Sequence, residues 1–144
     1  MIIRPFSKND TDTVIQLQKA DGFPHQYYIT RERVETLIKR GELFFLIFSP
    51  ENIPVGFASV DLEIRAQLHF ICINQQYSKR GYGSALMLKL IDEAKKHGYD
   101  RVSSYVEAGS NKETFLKKFH FEQVGSYRNR YGNGVDASIW ELHF

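Results

Sequence analysis

Two glycines, Gly81 and Gly83, follow Lys79 and Arg80 and precede Ser84 where an apolar run gives way to a helical pattern. These residue types suit phosphate binding. Glycine lets the backbone turn tightly and approach a ligand with no Cβ in the way. A helix that starts there presents unpaired N–H groups at the positive end of its dipole, and two basic side chains stand beside it. A glycine-rich turn before an ordinary surface helix would explain the glycines alone equally well. The two best-known glycine fingerprints do not fit. The dinucleotide-binding pattern needs a third glycine where Leu86 stands, and the P-loop ends in Gly-Lys-Ser/Thr, whereas here the lysine precedes both glycines.

The elements around this turn follow from periodicity. Gln67 to Ile73 read as the strand before it, and period-2 alternation predicts Gln67, His69, Ile71 and Ile73 on one face, with Leu68, Phe70 and Cys72 on the other. The helix from about Tyr82 to His97 has Leu86, Leu90, Ile91 and Ala94 on one stripe, with Gly98 as its C-terminal cap. Upstream, residues 2–6 predict a first strand. Ser7, Asn9 and Asp10 offer caps for a first helix, and Thr30 caps a second that ends at Gly41. Residues 43–49 and 55–65 read as a hairpin turning over Pro50 to Pro54. Downstream come a strand over 101–106, a short helix over 112–118, and a closing hairpin of 121–128 and 135–144. No repeat, low-complexity tract or linker interrupts residues 1–144, so one α/β domain is expected.

Composition narrows the function classes. The formal net charge of +2 implies no acidic polymer as partner, which disfavours nucleic acid. The one cysteine, Cys72, excludes an internal disulfide, and the longest apolar run, Leu43 to Phe48, is far too short for a bilayer, so no membrane partner is expected. The N-terminal residues show no signal-peptide or lipidation pattern, and a reducing cytoplasm is the expected location.

The segment Arg80-Gly81-Tyr82-Gly83-Ser84-Ala85-Leu86-Met87 and its preceding strand Phe70-Ile71-Cys72-Ile73 resemble motif A of the GNAT family of N-acetyltransferases, with Ser78 in place of the usual glutamine or arginine. The order of elements is similar to the family fold over nearly the whole chain. The resemblance implies a mixed, largely antiparallel sheet of about seven strands with about four helices, a single acetyltransferase domain over residues 1–144, and central strands that splay apart. It further implies acetyl-coenzyme A as co-substrate with no metal. The pantetheine arm would lie between residues 71–73 and 105–107, and Ile71, Cys72, Ile73, Lys79, Arg80, Gly81, Tyr82, Gly83, Ser84 and Asn111 would form the cofactor site. A helix N-cap role explains Asn111 as well.

Direct acyl transfer needs a base for the amine, a donor for the developing oxyanion and a route to protonate the thiolate. The family's oxyanion donor is a backbone N–H near Cys72 or Ile73. Gln67 stands where one branch carries a glutamate base and cannot serve; His69 on the same face is the nearest substitute, and Glu63 or Asp61 could act through water. A half-buried histidine bonded to a neighbour is the structural alternative. Leu116 occupies the position of the family's acid tyrosine, so Tyr105, Tyr127, Tyr131 or water must supply that proton. By the same resemblance, Phe23, Tyr27 and Tyr28, with Glu107 and Tyr131, would wall the acceptor pocket, and these residue types suit an amine of a small molecule or a protein. Arg128 and Arg130 point instead to a carboxylate or phosphate on the acceptor. The same rings would also suit a core or a homodimer interface. Two rival functions share these residues: a non-catalytic acyl-coenzyme A binding module, and a regulator that binds another nucleotide at the glycine turn.

Overall fold

A computed structural model describes residues 1–22 and 28–144. Its seven strands form one sheet in the order β1-β2-β3-β4-β5-β7-β6. These are β1 (Ile2–Pro5), β2 (Leu43–Phe48), β3 (Pro54–Asp61), β4 (Gln67–Ile73), β5 (Arg101–Glu107), β6 (Glu122–Tyr127) and β7 (Ala137–His143), with helices α1 (Thr11–Asp21), α2 (Arg31–Lys39), α3 (Tyr82–Lys96) and α4 (Asn111–Lys118). Every strand pair is antiparallel except β4 with β5. Among the described residues, no helix is long and apolar enough to cross a membrane.

The sheet separates two cores. On one face, Leu86, Met87, Leu90 and Ala94 of α3 and Leu116 of α4 pack with Phe45, Ala58, Leu68, Val102 and Trp140. On the other, Val14 and Leu17 of α1 and Val34 and Leu37 of α2 pack with Phe44, Leu46, Phe57 and Cys72. Local signals set the helix ends. The Thr30 side chain accepts the Arg33 N–H to cap α2. Gly41, at φ +93°, ends it in a left-handed turn that bonds the Glu42 N–H to the Leu37 carbonyl. Asn111 is not the cap of α4: Ser110 holds that place, and Asn111 is the first helical residue.

Two expectations about strands need correction. The predicted strand over 55–65 stops at Asp61. The Glu63 N–H turns back onto the Asp61 carboxylate, and the Tyr99 hydroxyl holds the Leu62 carbonyl, so residues 62–65 form a turn. The second correction concerns the faces of β4. The β3–β4 register shifts between Ser59, opposite Phe70, and Val60, opposite Leu68, which leaves His69 as an extra residue in a bulge. The bulge inverts the alternation. Leu68, Ile71 and Ile73 pack on the α3 side, while Phe70 and Cys72 pack on the α1 and α2 side.

Strands β4 and β5 pair only through Gln67 with Ser103 and Leu68 with Ser104. Beyond those pairs they diverge, opening the sheet between its two cores. The β3–β4 ladder binds the Asn74 N–H to Val55, so alternation turns the N–H groups of Ile71 and Ile73 away from β3 and into this gap.

Candidate active site

The diverging strands open a cleft of about 720 Å³ that passes from one face of the sheet to the other. Gly83 and Met87 of α3 and Phe115 and Leu116 of α4 line it on one side; Asp21, Ile29, Arg33 and Leu37 line it on the side of α1 and α2. Of the residues singled out by sequence, His69, Ile71, Ile73, Gly83, Tyr105, Glu107, Asn111 and Tyr131 meet in its wall. Cys72 lies behind that wall, fully buried. Burial pushes its thiol up to about 12, which favours the protonated thiol. Glu63 sits in the exposed turn after β3, outside the cleft lining. Tyr28 is half-buried between α1 and α2 and does not line the cleft either. Phe23 and Tyr27 lie outside the described residues.

At one end of the cleft, the turn before α3 is built for an anion. Lys79 and Gly81 adopt left-handed conformations, φ +60° and +90°. The first helical bond of α3 runs from the Ala85 N–H to the Gly81 carbonyl. Among the described residues, nothing accepts from the N–H groups of Arg80, Gly81, Tyr82, Gly83 or Ser84. The Arg80 guanidinium lies 5.4 Å from the Tyr77 ring centroid, which holds its charge beside them. A Cβ on Gly83 would stand 3.5 Å from the Phe115 ring and 3.7 Å from Ile73. A larger side chain there would therefore fill the space between α3, α4 and β4. The Ser110 hydroxyl, at the start of α4, is buried and lacks a hydrogen-bond partner. A polar atom buried in a cleft wall is satisfied by a ligand or by ordered water. Helix α4 itself is anchored, because the Trp140 indole N–H donates to the Ser138 hydroxyl, which donates to Glu113 at 2.6 Å.

On the opposite face lies a constellation that sequence reasoning missed. Glu42, 5% exposed, follows the Gly41 turn and points under the sheet. One carboxylate oxygen accepts the Ser59 hydroxyl at 2.8 Å, and the other lies 2.6 Å from His69 Nδ1. The bulge in β4 delivers His69 to this carboxylate. With Nδ1–H donated to Glu42, Nε2 is the free lone pair of a ring that lines the cleft. Asp61 stands close by, and one ligand atom from each of Glu42, Asp61 and His69 lies within 4.8 Å of the others. Both oxygens of Glu42 are already engaged at hydrogen-bond distance, which fits an oriented imidazole better than a coordination sphere.

A second missed residue is Asp21, at the end of α1. Its carboxylate accepts the Ile73 N–H at 3.1 Å. Burial raises the Asp21 carboxyl above its ordinary value, opposed by that bond and by the Lys112 charge. Gln18, fully buried, bonds the Ile29 backbone in both directions and thereby fixes the segment entering α2. The signal for Glu42 was a charged residue wedged between a helix-ending glycine and an apolar strand; Asp21 left none.

The comparisons with known proteins follow the same outline. A model of the acetyltransferase (GNAT) family matches residues 11–121. An uncharacterized N-acetyltransferase of Methanocaldococcus jannaschii is 32% identical, over 84% of this chain and 60% of its own. The chain thus spans about three-fifths of that relative's length. Ard1 from Thermoplasma volcanium superposes with a TM-score of 0.85 at 19% identity, covering 99% of this chain and 96% of that one. An aminoglycoside 6'-N-acetyltransferase complexed with coenzyme A gives 0.83 at 17% identity, covering 99% and 97%.

Proposed function

The chain belongs to the acetyltransferase (GNAT) family, and we propose that it moves an acetyl group from acetyl-coenzyme A to a primary amine of a small molecule or a protein by direct attack. The observation that carries this reading is the Glu42–His69 pair facing a gap that joins the two faces of the sheet. Bound acetyl-coenzyme A would supply an activated thioester. The N–H groups from Arg80 to Ser84, with the charges of Lys79 and Arg80, would hold its pyrophosphate. The backbone of Ile71 and Ile73, apart from the Ile73 N–H that Asp21 already holds, would with Ser110 and Asn111 hold its amide arm along β4. That one neighbour of this fold holds coenzyme A supports the assignment.

His69 acts as the base. Its Nε2 takes a proton from the acceptor amine, and Glu42 holds the ring in the tautomer that permits this and stabilises the imidazolium that results. The Ile71 N–H, turned into the gap, is the donor for charge that develops on the carbonyl oxygen. Leu116 is buried and cannot give a proton; Tyr105, which lines the cleft, is assigned to protonate the departing sulfur. Glu107 and Tyr131 line the acceptor side. The exposed position of Glu63 gives it no part in this scheme.

The test is release of free thiol from acetyl-coenzyme A with a panel of primary amines, alongside thermal stabilisation by acetyl-coenzyme A, ATP and NAD. Selective stabilisation with amine-dependent thiol release supports the reading. Stabilisation with no turnover on any amine would support instead the non-catalytic binding module, and preference for ATP or NAD would revive the nucleotide-binding reading.

A further inference from the structure

We propose that the amine acceptor carries an anionic group, a carboxylate or a phosphate, which seats on Arg130. The inference takes from the acetyl-transfer reading only the place of the amine, at His69. Arg130 follows β6 and lines the same cleft as His69, whereas Arg128 does not. Its guanidinium carbon lies 4.6 Å from the Tyr105 ring centroid and 5.3 Å from that of Tyr127. Two rings within cation–π distance hold the guanidinium in place at the cleft, where its N–H groups can meet a ligand. Those N–H groups meet no carboxylate among the described residues.

The charges around the cleft favour the same occupant. Three basic side chains line it, Arg33, Lys112 and Arg130, against two carboxylates, Asp21 and Glu107. Asp21 is engaged with the Ile73 N–H and feels the charge of Lys112. Glu107 forms no ion pair with either arginine among the described residues. Two guanidiniums therefore face the cleft against one unengaged carboxylate. An amine with no other charge leaves that excess unanswered. An amine with an anion attached answers it and gains a two-pronged bond to a guanidinium already held beside two rings.

Calorimetry with matched pairs, run with and without coenzyme A, reads this directly. The probes are 4-aminobutyrate against butylamine and O-phosphoethanolamine against ethylamine. In at least one pair the anionic member should bind tighter by about tenfold or more, the size expected of a charge-assisted hydrogen bond. The pair that shows the difference identifies carboxylate or phosphate. Arg130→Gln should bring the ratio to about one, and Arg130→Lys should restore it only in part, since an ammonium keeps the charge without the fork. An unchanged melting temperature would show that these exposed substitutions leave the fold intact. Anionic probes that bind no tighter than their neutral partners, or a preference that survives Arg130→Gln, would overturn the proposal. Thermal stabilisation by acetyl-coenzyme A is scored separately, so loss of the acetyl-transfer reading and loss of the anion site give different patterns.

Discussion

Replacing Glu42 with glutamine removes one negative charge and almost nothing else. The amide oxygen can still accept from His69 Nδ1–H and the amide nitrogen can donate to the Ser59 hydroxyl, so both bonds, 2.6 and 2.8 Å in the native protein, keep a partner. What disappears is the charge that stabilises the imidazolium formed as the amine gives up its proton. Two unit charges about 4 Å apart at an effective dielectric near 20 interact by about 4 kcal/mol. That is a ceiling here, because the His69 side chain is 25% exposed although Glu42 is only 3% exposed. A charge-assisted hydrogen bond, about 1.5–3 kcal/mol, is the nearer measure. At about 1.4 kcal/mol per decade this predicts a fall in kcat of about 10- to 150-fold. KM for acetyl-coenzyme A should hold, since Glu42 lies on the face of the sheet opposite α3. Steady-state thiol release reads both quantities. In the His69→Ala background, Glu42→Gln should then be nearly silent, as two residues acting as one unit require. A kcat within twofold of the native value would refute the reasoning and leave the base to water.

Three further outcomes follow from the cleft. Gly83→Trp places a ring between Phe115 and Ile73; the protein should fold, but the stabilisation of about 2.7 kcal/mol expected at a hundredfold excess of acetyl-coenzyme A over Kd should vanish from its melting curve. Ser110→Ala removes a buried hydroxyl with no partner, an arrangement that costs about 1–3 kcal/mol. The free protein should melt higher while its affinity for acetyl-coenzyme A falls, and a lower melting temperature would show that the hydroxyl is already satisfied. Asp21→Asn tests the sign of a pKa shift. Burial raises the Asp21 carboxyl above 3.8, so its ionised form destabilises the fold, and that penalty is absent below 3.8 and grows as pH rises through the raised value. The variant should therefore melt higher than the native protein at pH 7, and the difference should close on acidification; a constant difference across pH would assign the effect to packing.

The fold was legible because its signals are local. Gly41 and Gly98 end helices, Thr30 begins one, and aromatic and β-branched runs mark the strands. The half of the cleft that faces α3 was legible for the same reason, since Gly81, Gly83 and the helix start are consecutive in the chain. The other half was not. Glu42 and His69 are 27 residues apart, and Asp21 and Ile73 are 52 apart, separations at which no periodicity speaks. Period-2 reading also assumes an unbroken ladder, and β4 is broken at the one residue that matters most.

That break connects the local pattern to the chemistry. In a regular β4, a single alternation would set His69 on the same face as Ile71 and Ile73, against α3. The bulge gives His69 and Phe70 a common face, brings the imidazole to a carboxylate beneath β2, and leaves Ile71 and Ile73 on the α3 side with their N–H groups in the gap. One extra residue thus puts a base on one side of the sheet and backbone donors between the two sides. A residue deleted at position 69 would restore the ladder with Leu68 and Phe70 on the faces they now hold, and would cost activity through loss of the imidazole alone.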